Sequence, residues 1–145
     1  MNRTTLAAVF VIALPSLAAA HVGVTPRTST AGAEETYTVR VPTEGAVATT
    51  HLVLEVPQDL TVLDVPAAEG VSIELIKDGD RTTSIVWRKE IPPMEAATFV
   101  FRARNPSSAR IVWKAHQHHD DGTRIDWVEG SEDQRPAAVT TLTPR

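Results

Sequence analysis

The chain has 145 residues, with 18 acidic and 14 basic side chains and no cysteine. That length fits one globular domain that buries a core without disulfides. The lack of cysteine excludes thiolate metal sites, thiol catalysis and lipid anchoring through a cysteine. The mildly negative net charge of −4 and the lack of a basic cluster argue against nucleic acid or an anionic membrane as a partner.

Residues 1–20 have the pattern of a secretory signal peptide. Arg3 gives the positive start, residues 6–14 (LAAVFVIAL) form the apolar stretch, and residues 18–20 (AAA) form a small-residue cleavage site. We therefore expect a periplasmic or secreted protein whose mature domain spans residues 21–145. No later apolar run approaches the roughly 20 residues of a membrane span, so none is expected in the mature chain.

Cleavage after Ala20 would make His21 the first residue, and a histidine at a free N-terminus is a chelator by itself. Its α-amine and imidazole Nδ1 can close one ring around a metal ion. Their reference pKa values of roughly 7.7–8 and 6.5 let a strong Lewis acid displace the protons near neutral pH. Such nitrogen-rich sites favour Cu(II). Alternatively, the histidine follows the cleavage site by coincidence, or cleavage a residue away removes the chelator.

The mature sequence predicts an antiparallel β-sandwich. No stretch has a sustained 3.6-residue apolar period, and turn signals rich in Pro, Gly, Asp and Asn separate short alternating segments. The tail after residue 130 is expected to add a last edge strand. The eight predicted strands are residues 36–41, 51–56, 71–76, 83–87, 97–103, 110–115, 124–128 and 138–142.

Residues 120–123 (DDGT) predict a hairpin turn joining residues 110–117 to 124–128. This hairpin would place Trp113 and Trp127 on neighbouring strands and His116, His118 and His119 near the turn. On a strand, His116 and His118 would share a face about 6.5–7 Å apart, which can hold a metal ion. The commoner fate of such histidines is to face solvent. All three tryptophans, Trp87 included, are expected mostly in the core.

Sequence motifs of catalysis are missing. The chain has no G-x-S-x-G, no phosphate loop and no H-E-x-x-H. Glu95 could supply a hard oxygen that completes a tetragonal copper site, or it could be an ordinary solvated glutamate. Because Met94 is the only methionine of the mature chain, we do not expect a methionine-rich Cu(I) carrier.

An ordered set of motifs resembles the YcnI-like family of bacterial exported proteins. Residues 21–26 (HVGVTP) are similar to its HVxVxP opening, and residues 32–41 and 53–57 to its glycine-led strand and its strand ending in V-P. Residues 91–101 (IPPMEAATFVF) resemble its L-P-x-x-E-x-x-x-F stretch, and residues 117–127 (QHHDDGTRIDW) its Q-x-x-x-D-G-x-x-x-x-W signature. The resemblance covers nearly the whole mature chain.

The chain departs from the family's pattern in three places. Val71 stands where the family usually has a tryptophan after a glycine. Residues 116–119 are richer in histidine than the family's usual glutamine-tyrosine segment, which suggests a second, weaker copper site. Many relatives also carry a C-terminal membrane helix that has no counterpart among these 145 residues.

The resemblance implies a cupredoxin-like, immunoglobulin-like β-sandwich that handles copper. The family binds Cu(II) through a single-histidine brace: the amine and imidazole of one histidine, a glutamate, and a tryptophan close by. Residue by residue, His21 matches the histidine, Glu95 the glutamate and Trp127 the tryptophan. The implied function is a Cu(II) chaperone or scavenger, not an enzyme, that passes copper to another periplasmic or membrane protein.

Two other functions remain open. A copper-dependent oxidase or monooxygenase also starts its mature chain with histidine, but it needs a second histidine to complete the brace. His116 or His118 could be that residue only if it lies beside the N-terminus. The remaining alternative is a metal-free interaction or adhesion sandwich.

Overall fold

A computed structural model describes residues 20–129 and 135–145. The predicted signal peptide lies outside these residues except for Ala20. The described residues form β-strands and turns, and among them no helix has the length and apolarity needed to cross a membrane. The strands are β1 Gly23–Thr25, β2 Thr28–Thr30, β3 Glu34–Pro42, β4 Thr49–Glu55, β5 Thr61–Asp64, β6 Ser72–Asp78, β7 Arg81–Ile91, β8 Ala96–Arg104, β9 Arg110–Trp113, β10 Ala115–His119, β11 Arg124–Trp127 and β12 Ala138–Thr143.

The strands form two large sheets and one small sheet. The orders are β1-β3-β8-β5, β11-β10-β4-β7-β6 and β2-β12-β9. Paired strands are antiparallel except β2 and β12, which run parallel. Alternate side chains of the two large sheets face one buried core, in which Trp87 of β7 stacks on Phe99 of β8 at 5.3 Å between ring centroids. The predicted β-sandwich is therefore confirmed.

The segment predicted as one strand from residue 110 to 117 changes sheets at Lys114. β9 pairs with β12, whereas β10 pairs with β4 and β11. Trp127 lies opposite Ala115, so the prediction that Trp113 and Trp127 lie on neighbouring strands is wrong. The inward positions keep a period of two through the corner, and the alternation therefore gives no sign of the break. The hairpin from β10 to β11 does form as predicted.

The tail strand β12 lies inside the small sheet, between β2 and β9, and not at an edge as predicted. Thr140 fixes it there, because its hydroxyl accepts a hydrogen bond from Trp113 Nε1 (3.0 Å) and donates one to the Pro26 carbonyl (2.9 Å). The small sheet thus ties the tail to the segment that follows β1. β1, β2 and β5 were missed, since three or four residues are too few to show a period.

Asn105 joins β3 to β2 through a buried side-chain amide. The Tyr37 hydroxyl donates to Asn105 Oδ1 (2.6 Å), and Asn105 Nδ2 donates to Ser29 Oγ (3.0 Å) and to the Thr30 carbonyl (2.9 Å). Burial, reinforced by the charge of Glu35, raises the pKa of Tyr37 to about 12. Tyr37 therefore remains a hydrogen-bond donor throughout the physiological pH range.

Replacing Tyr37 with phenylalanine should destabilise the domain. Tyr37→Phe leaves the buried Asn105 oxygen without its donor, which we expect to lower the free energy of unfolding by about 1–3 kcal/mol. Urea unfolding followed by tryptophan fluorescence measures this loss. The matched control is Thr98→Val on exposed β8 surface, which should change stability by less than about 0.5 kcal/mol. Equal stabilities of Tyr37→Phe and the parent chain would contradict the structural role of this bond.

An ionisable cluster on the outer face of the five-stranded sheet joins three strands. His116 of β10 contacts Asp126 of β11 through Nδ1 (2.5 Å) and Glu55 of β4 through Nε2 (2.7 Å). Burial lowers the pKa of His116, but the hydrogen bonds and charges of the two carboxylates outweigh it, and the net pKa is raised. Hydrogen bonding to His116 in turn lowers the pKa of Asp126, and Arg124 adds to the effect.

This cluster predicts a pH-dependent contribution to stability. A histidine whose pKa is raised in the folded state stabilises fully below about pH 6.5 and loses that effect as the pH rises through its folded pKa. The stability advantage of the parent chain over His116→Gln should therefore shrink between pH 5.5 and 8.5. Both carboxylates are 39% to 47% exposed, so the change should not exceed about 1 kcal/mol. Urea unfolding at both pH values measures it, and an advantage that grows with pH would contradict the assignment.

Candidate functional site

The two short strands that follow His21 fix the N-terminal segment in two different sheets. β1 pairs with β3, with Gly23 opposite Arg40 and Thr25 opposite Thr38. β2 then joins the small sheet beside β12. The β1–β3 register, carried two residues further, places His21 beside Pro42. The main chain therefore brings the start of the predicted mature domain to the end of β3.

The imidazole of His21 packs against the indole of Trp127. The two rings meet edge to face, with centroids 5.5 Å apart and planes at 80°. Trp127 is buried on β11, and its indole Nε1 donates a hydrogen bond to Gln117 Oε1 (3.1 Å). Gln117 is itself fully buried, and its Nε2 donates to the Pro42 carbonyl (2.8 Å) and to Thr49 Oγ1 (2.7 Å). The amide of Gln117 thus sets the orientation of the indole that contacts His21.

A cleft opens beside this contact, and we call it the N-terminal cleft. Its charged and polar side chains are those of Glu44, Gln117, His119 and Arg135, and Ala20 and Trp127 also line it. Glu44 follows β3 by two residues and is the acidic residue among the described residues that line the cleft. The β1–β3 register explains its position, because residues just beyond Pro42 must lie near the residues just before Gly23.

Glu95 occupies a neighbouring depression, which it shares with Arg40, Thr43, Glu44 and Met94. Its side chain is exposed, and its main chain makes the defined contacts. The Thr43 N–H donates to the Glu95 carbonyl (2.8 Å), and the Met94 N–H donates to the Thr43 carbonyl (2.8 Å). The structure therefore places His21 and Trp127 together, while Glu95 supports the segment that carries Glu44.

The three clustered histidines divide between the two faces of β10. His116 and His118 point outward, and His119 points inward and lines the N-terminal cleft. His119 is 9% exposed, and its Nδ1 has no hydrogen-bond partner among the described residues. His116 and His118 share one face, as their spacing predicts, but Glu55 and Asp126 occupy both ring nitrogens of His116. Nowhere in residues 20–129 and 135–145 do three or more His, Asp or Glu side chains gather in a metal-binding arrangement.

Sequence reasoning missed Glu44, Gln117 and His119 as parts of this site. Of these three residues, Gln117 alone had a sequence signal, because it is the first residue of the Q-x-x-x-D-G-x-x-x-x-W motif that ends at Trp127. The spacing is now explained by the hydrogen bond between these two side chains across the β10–β11 hairpin. Glu44 had no comparable local signal, since only the pairing of β1 with β3 brings it near the N-terminus.

Comparison with known proteins identifies relatives over most of the chain. The family described as a domain of unknown function, DUF1775, matches residues 21–142. The copper-binding protein CutI of Bacillus subtilis (strain 168) is 33% identical over 130 residues, and the match covers 87% of this chain. The chain spans 64% of that relative's length.

Two solved structures share the architecture. A crystal structure of an uncharacterized Nocardia farcinica protein with an immunoglobulin-like fold superposes with a TM-score of 0.74 at 25% identity, covering 85% of this chain and 98% of the other. A non-cellulosomal cohesin of Archaeoglobus fulgidus gives a TM-score of 0.51 at 12% identity over 85% and 90% of the two chains, which shows the fold alone. The fold is immunoglobulin-like, and the chain belongs to the DUF1775 family, the YcnI-like family that its motifs resemble.

Proposed function

We propose that this chain is an exported protein that captures Cu(II) at a mature N-terminus formed by His21. The contact between His21 and Trp127 carries the proposal, because it sets the imidazole against a residue that lines a cleft with further donors. Two comparisons support it. The family match begins at His21, and a relative of this chain is named a copper-binding protein.

The residues around the N-terminal cleft include donor types that suit a copper ion, although those among the described residues do not form a ready-made metal-binding cluster. After cleavage, His21 would offer its amine and imidazole, and Glu44 a carboxylate oxygen. His119 lines the same cleft, and its buried Nδ1 has no partner among the described residues, a state that calls for an explanation in a folded protein. A donor set of nitrogen and oxygen without sulfur suits Cu(II).

Trp127 and Gln117 would act on the site without binding the metal. The indole of Trp127 covers one side of His21 and limits the access of water there. Gln117 holds that indole in a single orientation through its buried hydrogen bond. A site with one N-terminal histidine and few further ligands is more open than a closed structural site, so copper can pass to another periplasmic or membrane protein.

Blocking the α-amine tests the proposal most simply. We expect the chain that begins at His21 to bind one Cu(II) tightly, and the same chain acetylated at its N-terminus to bind at least about tenfold more weakly. Acetylation removes the basic amine and leaves every side chain unchanged. Competition titration with a chromophoric chelator measures the affinities. Equal affinities of the two forms would reject the brace.

A pair of glutamine variants tests which carboxylate binds copper. Glu44→Gln should lower the Cu(II) affinity of the chain that begins at His21 by about tenfold, because it removes an anionic ligand at the N-terminal cleft. Glu95→Gln is the matched control, since the side chain of Glu95 lies in the neighbouring depression, and it should change the affinity by less than about twofold. The same titration measures both variants. A loss confined to Glu95→Gln would instead make Glu95 the ligand, as the family motif implies.

A further inference from the structure

A second group of nitrogen donors lies on the outer face of the five-stranded sheet. His118 of β10 is directly opposite His51 of β4 in the strand register. Their imidazole rings stack with centroids 4.2 Å apart and planes within 10° of parallel. We call these two residues the histidine pair. It lies on the face of β10 opposite to Gln117 and His119, so it is separate from the N-terminal cleft.

The hydroxyl of Thr50 sets the tautomer of His51. It lies 2.9 Å from His51 Nδ1 and 3.2 Å from the carbonyl oxygen of His118. A hydroxyl has one hydrogen to donate, and the carbonyl can only accept. The hydroxyl therefore donates to His118 and accepts from His51, so Nδ1 of His51 carries the ring hydrogen. The lone pair of the His51 ring is left on Nε2, as a metal ligand requires.

The surroundings lower the pKa of both rings, which favours their neutral form. Burial lowers the pKa of His51, and the charges of His118 and Arg88 add to the effect. Burial also lowers the pKa of His118, and Arg124 is the next cause. Neutral imidazole is the form that binds a metal ion.

The nearby arginines are themselves compensated by carboxylates. Arg88 pairs with Glu74 at 3.2 Å, and Arg124 pairs with Asp126 at 2.8 Å. The positive charges beside the histidine pair therefore oppose a bound cation less than unpaired arginines would. His116 lies two residues from His118 on the same face, but carboxylates occupy both of its ring nitrogens, which leaves none for a metal ion.

We propose that His51 and His118 form a second metal site, a cross-strand pair of imidazoles for a divalent transition-metal ion such as Cu(II) or Zn(II). Bond lengths of about 2.0–2.1 Å place two neighbouring nitrogen ligands about 3 Å apart. Binding therefore requires the two rings to turn out of their parallel stack, so that both lone pairs meet at the ion. Water would complete the coordination. With two protein ligands the ion should exchange readily, and Cu(II) heads the affinity order.

The test removes the N-terminal site and keeps the fold. Every strand of the described residues lies between Gly23 and Thr143, so a chain that begins at residue 21 and carries His21→Ala retains these strands. Titrating this chain with Cu(II) or Zn(II) in a calorimeter should show one bound ion. We expect His51→Ala or His118→Ala to weaken metal binding by about tenfold or more. Because both residues belong to one site, the double variant should bind no more weakly than the single variant with the lower affinity. Spin resonance of the Cu(II) form should show coupling to two imidazole nitrogens.

His116→Ala is the control, because His116 has the same residue type on the same strand face but is held by Glu55 and Asp126. It should leave the metal affinity within about twofold of the parent. No binding by the parent, unchanged binding by both variants of the pair, or an equal loss in His116→Ala would each overturn the proposal. Thermal melts verify folding, and His51→Gln and His118→Gln replace the alanine variants if these unfold. The outcome is independent of the N-terminal brace, which this chain lacks.

Discussion

The N-terminal cleft depends on the hydrogen bonds made by the buried side-chain amide of Gln117. It receives the indole hydrogen of Trp127 and donates to Pro42 and Thr49, so one side chain connects the β10–β11 hairpin to the end of β3 and the start of β4. A buried amide without these partners would be costly, and the three elements are therefore held in one arrangement. The face of Trp127 that meets His21 is a consequence of that arrangement.

Successive side chains of strand β10 point to opposite faces of the sheet, and each face has its own polar environment. Its inward residues, Gln117 and His119, contribute to the N-terminal cleft, whereas its outward residues, His116 and His118, belong to a polar sheet face. On that face the pKa values of the two histidines are shifted in opposite directions. Carboxylate partners raise the pKa of His116, while burial and nearby positive charges lower the pKa of His118. The same short run of sequence therefore contains one histidine suited to ion pairing and one suited to metal binding.

Local patterns in the sequence were enough to predict the sandwich and most of its long strands. Alternation of apolar and polar residues located β3, β4 and β8, because each has one buried and one outward face. β7 was also located, although its Ile85, Val86 and Trp87 are all buried. The corner at Lys114 could not be seen, since the inward positions keep their spacing across it.

The candidate site was harder to predict because it is assembled from distant segments. His21 and Trp127 could be named from the chain start and the hairpin motif, but their contact follows from the way β1 and β11 are placed in different sheets. Glu44 approaches the N-terminus only through the pairing of β1 with β3. The histidine pair arises in the same way, since the register of β4 against β10 brings His51 to His118.

A crystal structure of the chain that begins at His21, grown with Cu(II), would test the account most directly. Anomalous scattering at the copper edge locates each ion without assumptions about its ligands. We predict one strong peak within about 2.0–2.2 Å of the His21 amine, its Nδ1 and a Glu44 carboxylate oxygen, beside the indole of Trp127. Copper found only elsewhere, with the amine and imidazole of His21 unbound, would contradict the account.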